Sequence, residues 1–359
     1  MSGKGGKGGK GGTRSPSASS PSAAPASAPT ADRLTGSLLG QALGDALGFV
    51  VEAQPPEVAR VYVEGWLRAG RAGEWPHPHF PFGQYSDDTQ LARELLRSFL
   101  DVRGWVPWVY AGRLAELFRE RRDVGAGRGT RSAALRLLMG VPWNESGTPA
   151  PYAGNGAAMR AGPLGLLLPE PQAMCRAARE QARITHLDPR CAAGAAAVAR
   201  AVAVAAERLP IDTPGFLAEV ANCAEAEEAS VGDAIRGLGE WVGLPPAIAA
   251  RHVHESGMDP AHIDRWQGIS AFVTPSLLWS LYAFLRSPND YWETICTAIG
   301  VGGDTDTMAA IAGAISGARL GAKALPGELL GRLNDRGEWG AEALTKLASS
   351  CAAIVDSTG

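Results

Sequence analysis

The sequence predicts an all-α fold in a single domain, and three observations predict it. Apolar residues recur at helical spacing, as in Leu91, Leu95 and Phe99, and again in Met308, Ile311 and Ile315. Alanine-rich stretches interrupted by valine, such as 191–206, suit closely packed buried helices. Period-2 alternation bounded by hairpin turns is absent.

The chain has 359 residues, 45 % of them hydrophobic, enough for a sizeable core in one large domain or two small ones. No short repeat of the solenoid kind is visible, so one helical domain is expected over residues 31–355. Proline, glycine and asparagine mark loops at 75–83, 142–156 and 288–289. Residues 1–30 differ in kind. They open with Gly-Gly-Lys repeats and continue through Ser, Ala and Pro. Such a segment has nothing to bury and is expected to be a disordered tail, without the apolar core of a secretory signal.

Charge and cysteine usage narrow the classes. Formal net charge is −3, and the basic residues are mostly arginines scattered among acids. A nucleic-acid binder would concentrate positive charge, so stable nucleic-acid binding is not expected. Five cysteines, odd in number and without a CxxC pair, argue against a disulfide framework or a structural zinc site. A reducing cytoplasm is the expected setting. Apolar runs fall short of the roughly 20 residues that span a bilayer, so no membrane partner is expected.

The first helical segment carries Gly36, Gly40, Gly44 and Gly48, four residues apart and therefore on one face. Each costs about 1 kcal/mol relative to alanine inside a helix. Close approach of another backbone is the compensation this stripe predicts. Asp45, beside it, reads as a buried structural acid.

Two acidic clusters run directly into apolar helices: Ser86-Asp87-Asp88-Thr89, and Gly302-Gly303-Asp304-Thr305-Asp306-Thr307. Taken singly, each reads as a helix cap, because Ser, Asp and Thr satisfy free N–H groups and acids favour the helix dipole. Taken together they offer four carboxylates and neighbouring hydroxyls, an all-oxygen set suited to Mg²⁺ or Mn²⁺. Two divalent ions would cancel the formal charge of the four acids. Without ions, acids brought together repel or take up protons. His77 and His79 form a His-Pro-His step for which an oxygen site has no use, and an exposed loop is expected there.

These motifs, in this order, resemble the ADP-ribosylglycohydrolase family. The matching residues are Gly40-Gln41-Ala42-Leu43-Gly44-Asp45-Ala46-Leu47-Gly48 with Glu52, then Ser86-Asp87-Asp88-Thr89, then Gly154-Asn155-Gly156 with Met159-Arg160. Thr185-His186 and Gly302-Gly303-Asp304-Thr305-Asp306-Thr307 complete the set. The resemblance implies an orthogonal multi-helix domain with a binuclear metal centre. It implies two divalent cations, Mg²⁺ or Mn²⁺, held by Ser86, Asp87, Asp88, Asp304, Asp306 and Thr307. Glu52 would be the catalytic acid/base. Gly127, Gly154, Asn155, Gly156 and His186 would bind the substrate, with backbone N–H groups of the Gly-rich turn available to phosphates.

The implied activity is hydrolysis of the glycosidic bond between ADP-ribose and an acceptor. The surroundings of Glu52 and the 89–98 segment are similar to the branch acting on ADP-ribosyl-serine, poly(ADP-ribose) and O-acetyl-ADP-ribose. The alternatives are an arginine-specific hydrolase and a catalytically silent ADP-ribose-binding relative. The expected partner is an ADP-ribosylated protein or an ADP-ribose derivative, and a monomer is expected.

Overall fold

The computed structural model describes residues 1, 3, 30–76, 79–207, 210–256 and 266–358. The expected tail therefore falls almost wholly outside the described residues, as does His77. Among the described residues there are sixteen α-helices and no strand, only isolated bridges between loops. The all-α expectation holds.

The helix Thr30–Gly48 is buried continuously from Leu34 to Gly48 and packs along the equally buried helix Thr305–Leu320. The glycine stripe is the reason they approach so closely. A Cβ on Gly36 would lie 2.3 Å from the Gly317 carbonyl oxygen, one on Gly40 2.4 Å from Gly313 O, and one on Gly44 2.2 Å from Ala309 O. On the facing helix, a Cβ on Gly313 or Gly317 would meet Gly40 O or Gly36 O at 2.3 and 2.0 Å. Two helices thus press glycine against backbone from both sides. Because Thr305–Leu320 is enclosed all round, Met308, Ile311 and Ile315 belong to a helix with no solvent face.

Other helices close around this pair. Ala341–Thr358 packs on Thr30–Gly48 and on Asp87–Val102, whose Leu91, Leu95 and Phe99 face the core. The alanine-rich helix Pro189–Glu207 packs against Pro171–Thr185, Thr213–Glu225 and Thr305–Leu320. Val273–Arg286 and Tyr291–Ile299 complete the wall around Thr305–Leu320.

Two expectations need correction. Two helical segments, Thr30–Val51 and Pro189–Glu207, are long and apolar enough to cross a membrane. Glycine and alanine kept their runs from looking continuous in the sequence, and in the fold most of each is buried in the core. Cys175 and Cys223 form a disulfide between Pro171–Thr185 and Thr213–Glu225, with Cα atoms 6.8 Å apart. Their separation of 48 residues hid a pairing that only helix packing creates. Cys191, Cys296 and Cys351 are free and buried.

Candidate active site

The last two turns of the glycine-striped helix organise the site. Asp45 Oδ1 accepts the Ser86 N–H at 2.8 Å, and its Oδ2 accepts the Thr89 N–H at 3.0 Å and the Thr89 hydroxyl at 2.6 Å. A carboxylate from another helix therefore caps the start of Asp87–Val102. Ser86 assists, its Oγ accepting from the Asp88 N–H at 3.3 Å. With the cap supplied in this way, the carboxylates of Asp87 and Asp88 are left for the cleft. Gln41 adds a tie by donating to the carbonyls of Asp88 and Met159.

The second acidic pair is aimed by a two-glycine turn. Gly302 and Gly303 have φ of +72° and +87°, and a Cβ on Gly303 would lie 2.0 Å from Ile269 O. Only glycine passes here. The turn is bonded on both flanks: Ala53 N–H donates to Gly303 O at 2.8 Å, and Asp304 N–H to Ile269 O at 2.8 Å. The first of these bonds also fixes the chain just beyond Glu52. Asp304 makes no side-chain capping bond, so the local capping reading fails for it.

The two pairs and Glu52 then meet. Oxygen atoms of Glu52, Asp304 and Asp306 lie within 4.8 Å of one another. The hydroxyls of Ser86 and Thr307 converge on Asp88 Oδ2 at 3.1 and 3.3 Å. Asp88 Oδ1 is buried and has no hydrogen-bond partner among the described residues. Burial, and then the charge of Asp306, push the carboxyls of Asp87, Asp88 and Asp304 well above the usual range. The same causes push Glu52 up to about 10 and Asp45 up to about 7. Asp306 is raised by burial. A bare cluster must therefore carry protons. An all-oxygen donor set with an orphaned carboxylate oxygen is what a hard divalent cation requires, and the residues fit such an ion.

A cavity of about 110 Å³ opens onto this cluster. Eleven of the twelve residues expected at the site line it: Glu52, Asp87, Asp88, Gly127, Gly154, Asn155, Gly156, His186, Asp304, Asp306 and Thr307. Ser86 does not line it and meets the cluster through Asp88. Asn155 behaves differently from a plain phosphate-binding turn. Its N–H is bonded to Ala271 O at 3.0 Å, and its side-chain amide donates to Asp304 and to Ser276 Oγ. It braces an acid of the cluster. His186 is buried, stacked on Tyr152 with ring centroids 5.8 Å apart, and overlain by Gly129, Gly154 and Gly156. His79 lies on an exposed loop.

Thr130, Tyr152, Trp266 and Ala271 also line the cavity and were not anticipated. Tyr152 sits two residues before the Gly154-Asn155-Gly156 turn, a position that gave a signal in hindsight. Thr130, three residues beyond Gly127, gave a similar signal, whereas Trp266 and Ala271 reach the cavity through tertiary packing.

Fold and site together define an all-α protein whose candidate functional centre is a carboxylate cluster beside a glycine-rich loop. Comparison with known proteins makes the class specific. The family model described as ADP-ribosylglycohydrolase matches residues 26–358. The chain belongs to the ADP-ribosylglycohydrolase family. It is 32 % identical to an uncharacterized protein of Archaeoglobus fulgidus, over 76 % of this chain and 82 % of the relative. It is 28 % identical to the human ADP-ribosylhydrolase ARH3, over 67 % of this chain and 72 % of that protein. Identity is also 28 % with the ADP-ribosyl-[dinitrogen reductase] glycohydrolase of Rhodospirillum rubrum, over 70 % and 74 %. A solved structure titled as an ADP-ribosylglycohydrolase-related protein complex superposes with a TM-score of 0.68 at 28 % identity, covering 91 % of this chain and 99 % of its own.

Proposed function

We propose that the protein is a divalent-metal-dependent hydrolase cleaving the glycosidic bond between ADP-ribose and an oxygen-linked acceptor: protein serine, poly(ADP-ribose) or O-acetyl-ADP-ribose. The observation that supports this most is the convergence of Glu52, both acidic pairs and the 154–156 loop on one cavity. Ser86, Asp87, Asp88, Asp304, Asp306 and Thr307 would hold Mg²⁺ or Mn²⁺. When bound, these ions would supply positive charge balancing the carboxylates and Lewis acidity toward oxygen.

The chain's own groups account for the rest of the chemistry. Departure of the acceptor leaves positive charge on the anomeric carbon and adjoining ring oxygen, which negative charge held in the cavity would stabilise. The leaving oxygen must gain a proton and the attacking water must lose one. Glu52, at the edge of the cluster, can as a neutral acid give its proton to the leaving oxygen and as the resulting carboxylate take one from the attacking water, so that the two transfers balance.

Release of ADP-ribose from serine- and arginine-modified peptides, poly(ADP-ribose) and O-acetyl-ADP-ribose, with Mg²⁺, Mn²⁺ or chelator, tests the reading. Release from the serine peptide, abolished by chelator, is expected. Exclusive release from the arginine peptide would move the acceptor assignment, and release from none would refute the enzyme reading. Glu52→Gln is expected to lower kcat/KM by about a hundredfold or more while ADP-ribose still binds.

A further inference from the structure

Arg160 is fully buried behind the 154–156 loop, and every one of its bonds goes to that loop or to the end of the helix Pro171–Thr185. Its Nε donates to Gln181 Oε1 at 2.7 Å and its Nη1 to Gly156 O at 2.9 Å. Its Nη2 donates to Gln181 O and to Thr185 Oγ1, both at 2.8 Å. A guanidinium has donors only, so Thr185 Oγ1 is the acceptor in the last of these. The Thr185 hydroxyl retains its own proton and sits 2.8 Å from its other partner, His186 Nδ1. Given to that nitrogen, the proton makes His186 Nδ1 an acceptor, and this direction is the one the proposal below adopts and tests.

The rest follows from the state of the ring. Burial, then the neighbouring Arg160 charge, push the imidazolium pKa down to about 3, so the ring is neutral. A neutral imidazole that accepts at Nδ1 carries its one proton on Nε2. That nitrogen lies against the cavity wall, 3.0 and 3.2 Å from where a Cβ on Gly129 or Gly154 would sit, and it makes no hydrogen bond among the described residues.

We propose that Arg160 and Thr185 are positioning residues that lock His186 as its Nε2–H tautomer, so that it presents a fixed donor to a ligand oxygen in the cleft. The inference rests on the ADP-ribose reading for the ligand, whose diphosphate and ribose oxygens are the matching acceptors. The opposite tautomer would turn a lone pair toward those oxygens and repel them. Because the same guanidinium also holds Gly156 O, it sets the loop and the histidine that faces it in one register.

Arg160 is a buried hub, and its removal would test folding as much as position. The discriminating substitutions are therefore at Thr185. In the full-length protein labelled with ¹⁵N-histidine, two-bond ¹H–¹⁵N spectra at pH 7 should show His186, assigned by its loss in His186→Gln, protonated at Nε2 alone. Thr185→Val keeps the β-branch and removes the hydroxyl. It should convert that signal to the Nδ1–H form or to a mixture, and weaken ADP-ribose binding by about tenfold, the worth of one hydrogen bond to a charged group. Thr185→Ser should restore both. A wild-type ring protonated at Nδ1 overturns the proposal, and this outcome needs no variant to fold. So does a Thr185→Val protein with unchanged tautomer and affinity. If the tautomer behaves as expected but the wild type binds no ADP-ribose, the relay stands and the functional reading falls.

Discussion

At His186 burial and two charged neighbours set the protonation. Burial disfavours the charged ring, the Arg160 guanidinium repels it, and the Asp188 carboxylate pulls weakly the other way. The folded pKa of about 3 lies below the ordinary value of 6.5. Between those values the unfolded chain binds more protons, so the stability linked to a neutral His186 is complete above pH 6.5 and declines as pH falls toward 3. Between pH 7.5 and 5.5 the wild type should lose about 1.4 kcal/mol more than His186→Gln, because the window straddles the unfolded pKa and the full slope of about 1.36 kcal/mol per pH unit is approached only below it. Urea midpoints of the two proteins at the two pH values measure this, and equal losses would refute it. Asp188, bonded to Arg190, is held below the usual carboxylate range and titrates outside the window. The sequence made His186 visible only as part of a motif. That the Thr-His pair is a relay driven by Arg160 is legible only when three segments are seen packed together. Asp45 was similarly half-legible. Its burial followed from its place beside the glycines, but its partner is a helix start some forty residues onward.

The helices show which sequence signals carry furthest. The glycine stripe predicted a close backbone, and the partner was also written in the sequence: Gly313 and Gly317 repeat the same four-residue spacing within an apolar helix. The stripe makes a contrast between two glycines that propensity alone would treat alike. Alanine gains about 1 kcal/mol over glycine in a helix interior. At Gly112, on the exposed side of Pro107–Arg119, an added Cβ meets nothing within 4 Å, so Gly112→Ala should stabilise by about 0.5–1 kcal/mol. At Gly40 the same methyl lies 2.4 Å from a carbonyl oxygen that cannot yield without parting two helices. The clash at Gly40→Ala should cost about 2–3 kcal/mol, leaving a net destabilisation of about 1–2 kcal/mol once the propensity gain is counted. Chemical denaturation of both variants checks the pair, and two shifts of the same sign would refute the packing account. The disulfide was missed because pairing is a property of neighbours, which no single helix records.

In the whole molecule, distant segments are brought to one point by the end of one helix. Asp45 holds the start of Asp87–Val102, Gly48 lets Thr305 O and Asp306 Cα approach its backbone, and Glu52 follows four residues later. The same few residues thus gather both acidic pairs and the proposed acid/base, which explains why the site could be anticipated once the two clusters were read together. This gathering burdens the fold. Carboxylates buried side by side repel or take protons, and a bound cation should remove that burden by stabilising only the folded form. At a free Mg²⁺ concentration a hundred times Kd the gain is about 2.7 kcal/mol, several degrees in Tm. Thermal melts should therefore shift upward with Mg²⁺ or Mn²⁺ and return with chelator. Asp306→Asn should lose the shift, yet in chelator it should melt no lower than wild type, because one buried charge has gone. A wild-type Tm indifferent to both ions would refute the metal centre. A variant that melts lower in chelator and still responds to the ion would instead assign Asp306 a packing role and leave the cation to the remaining acids.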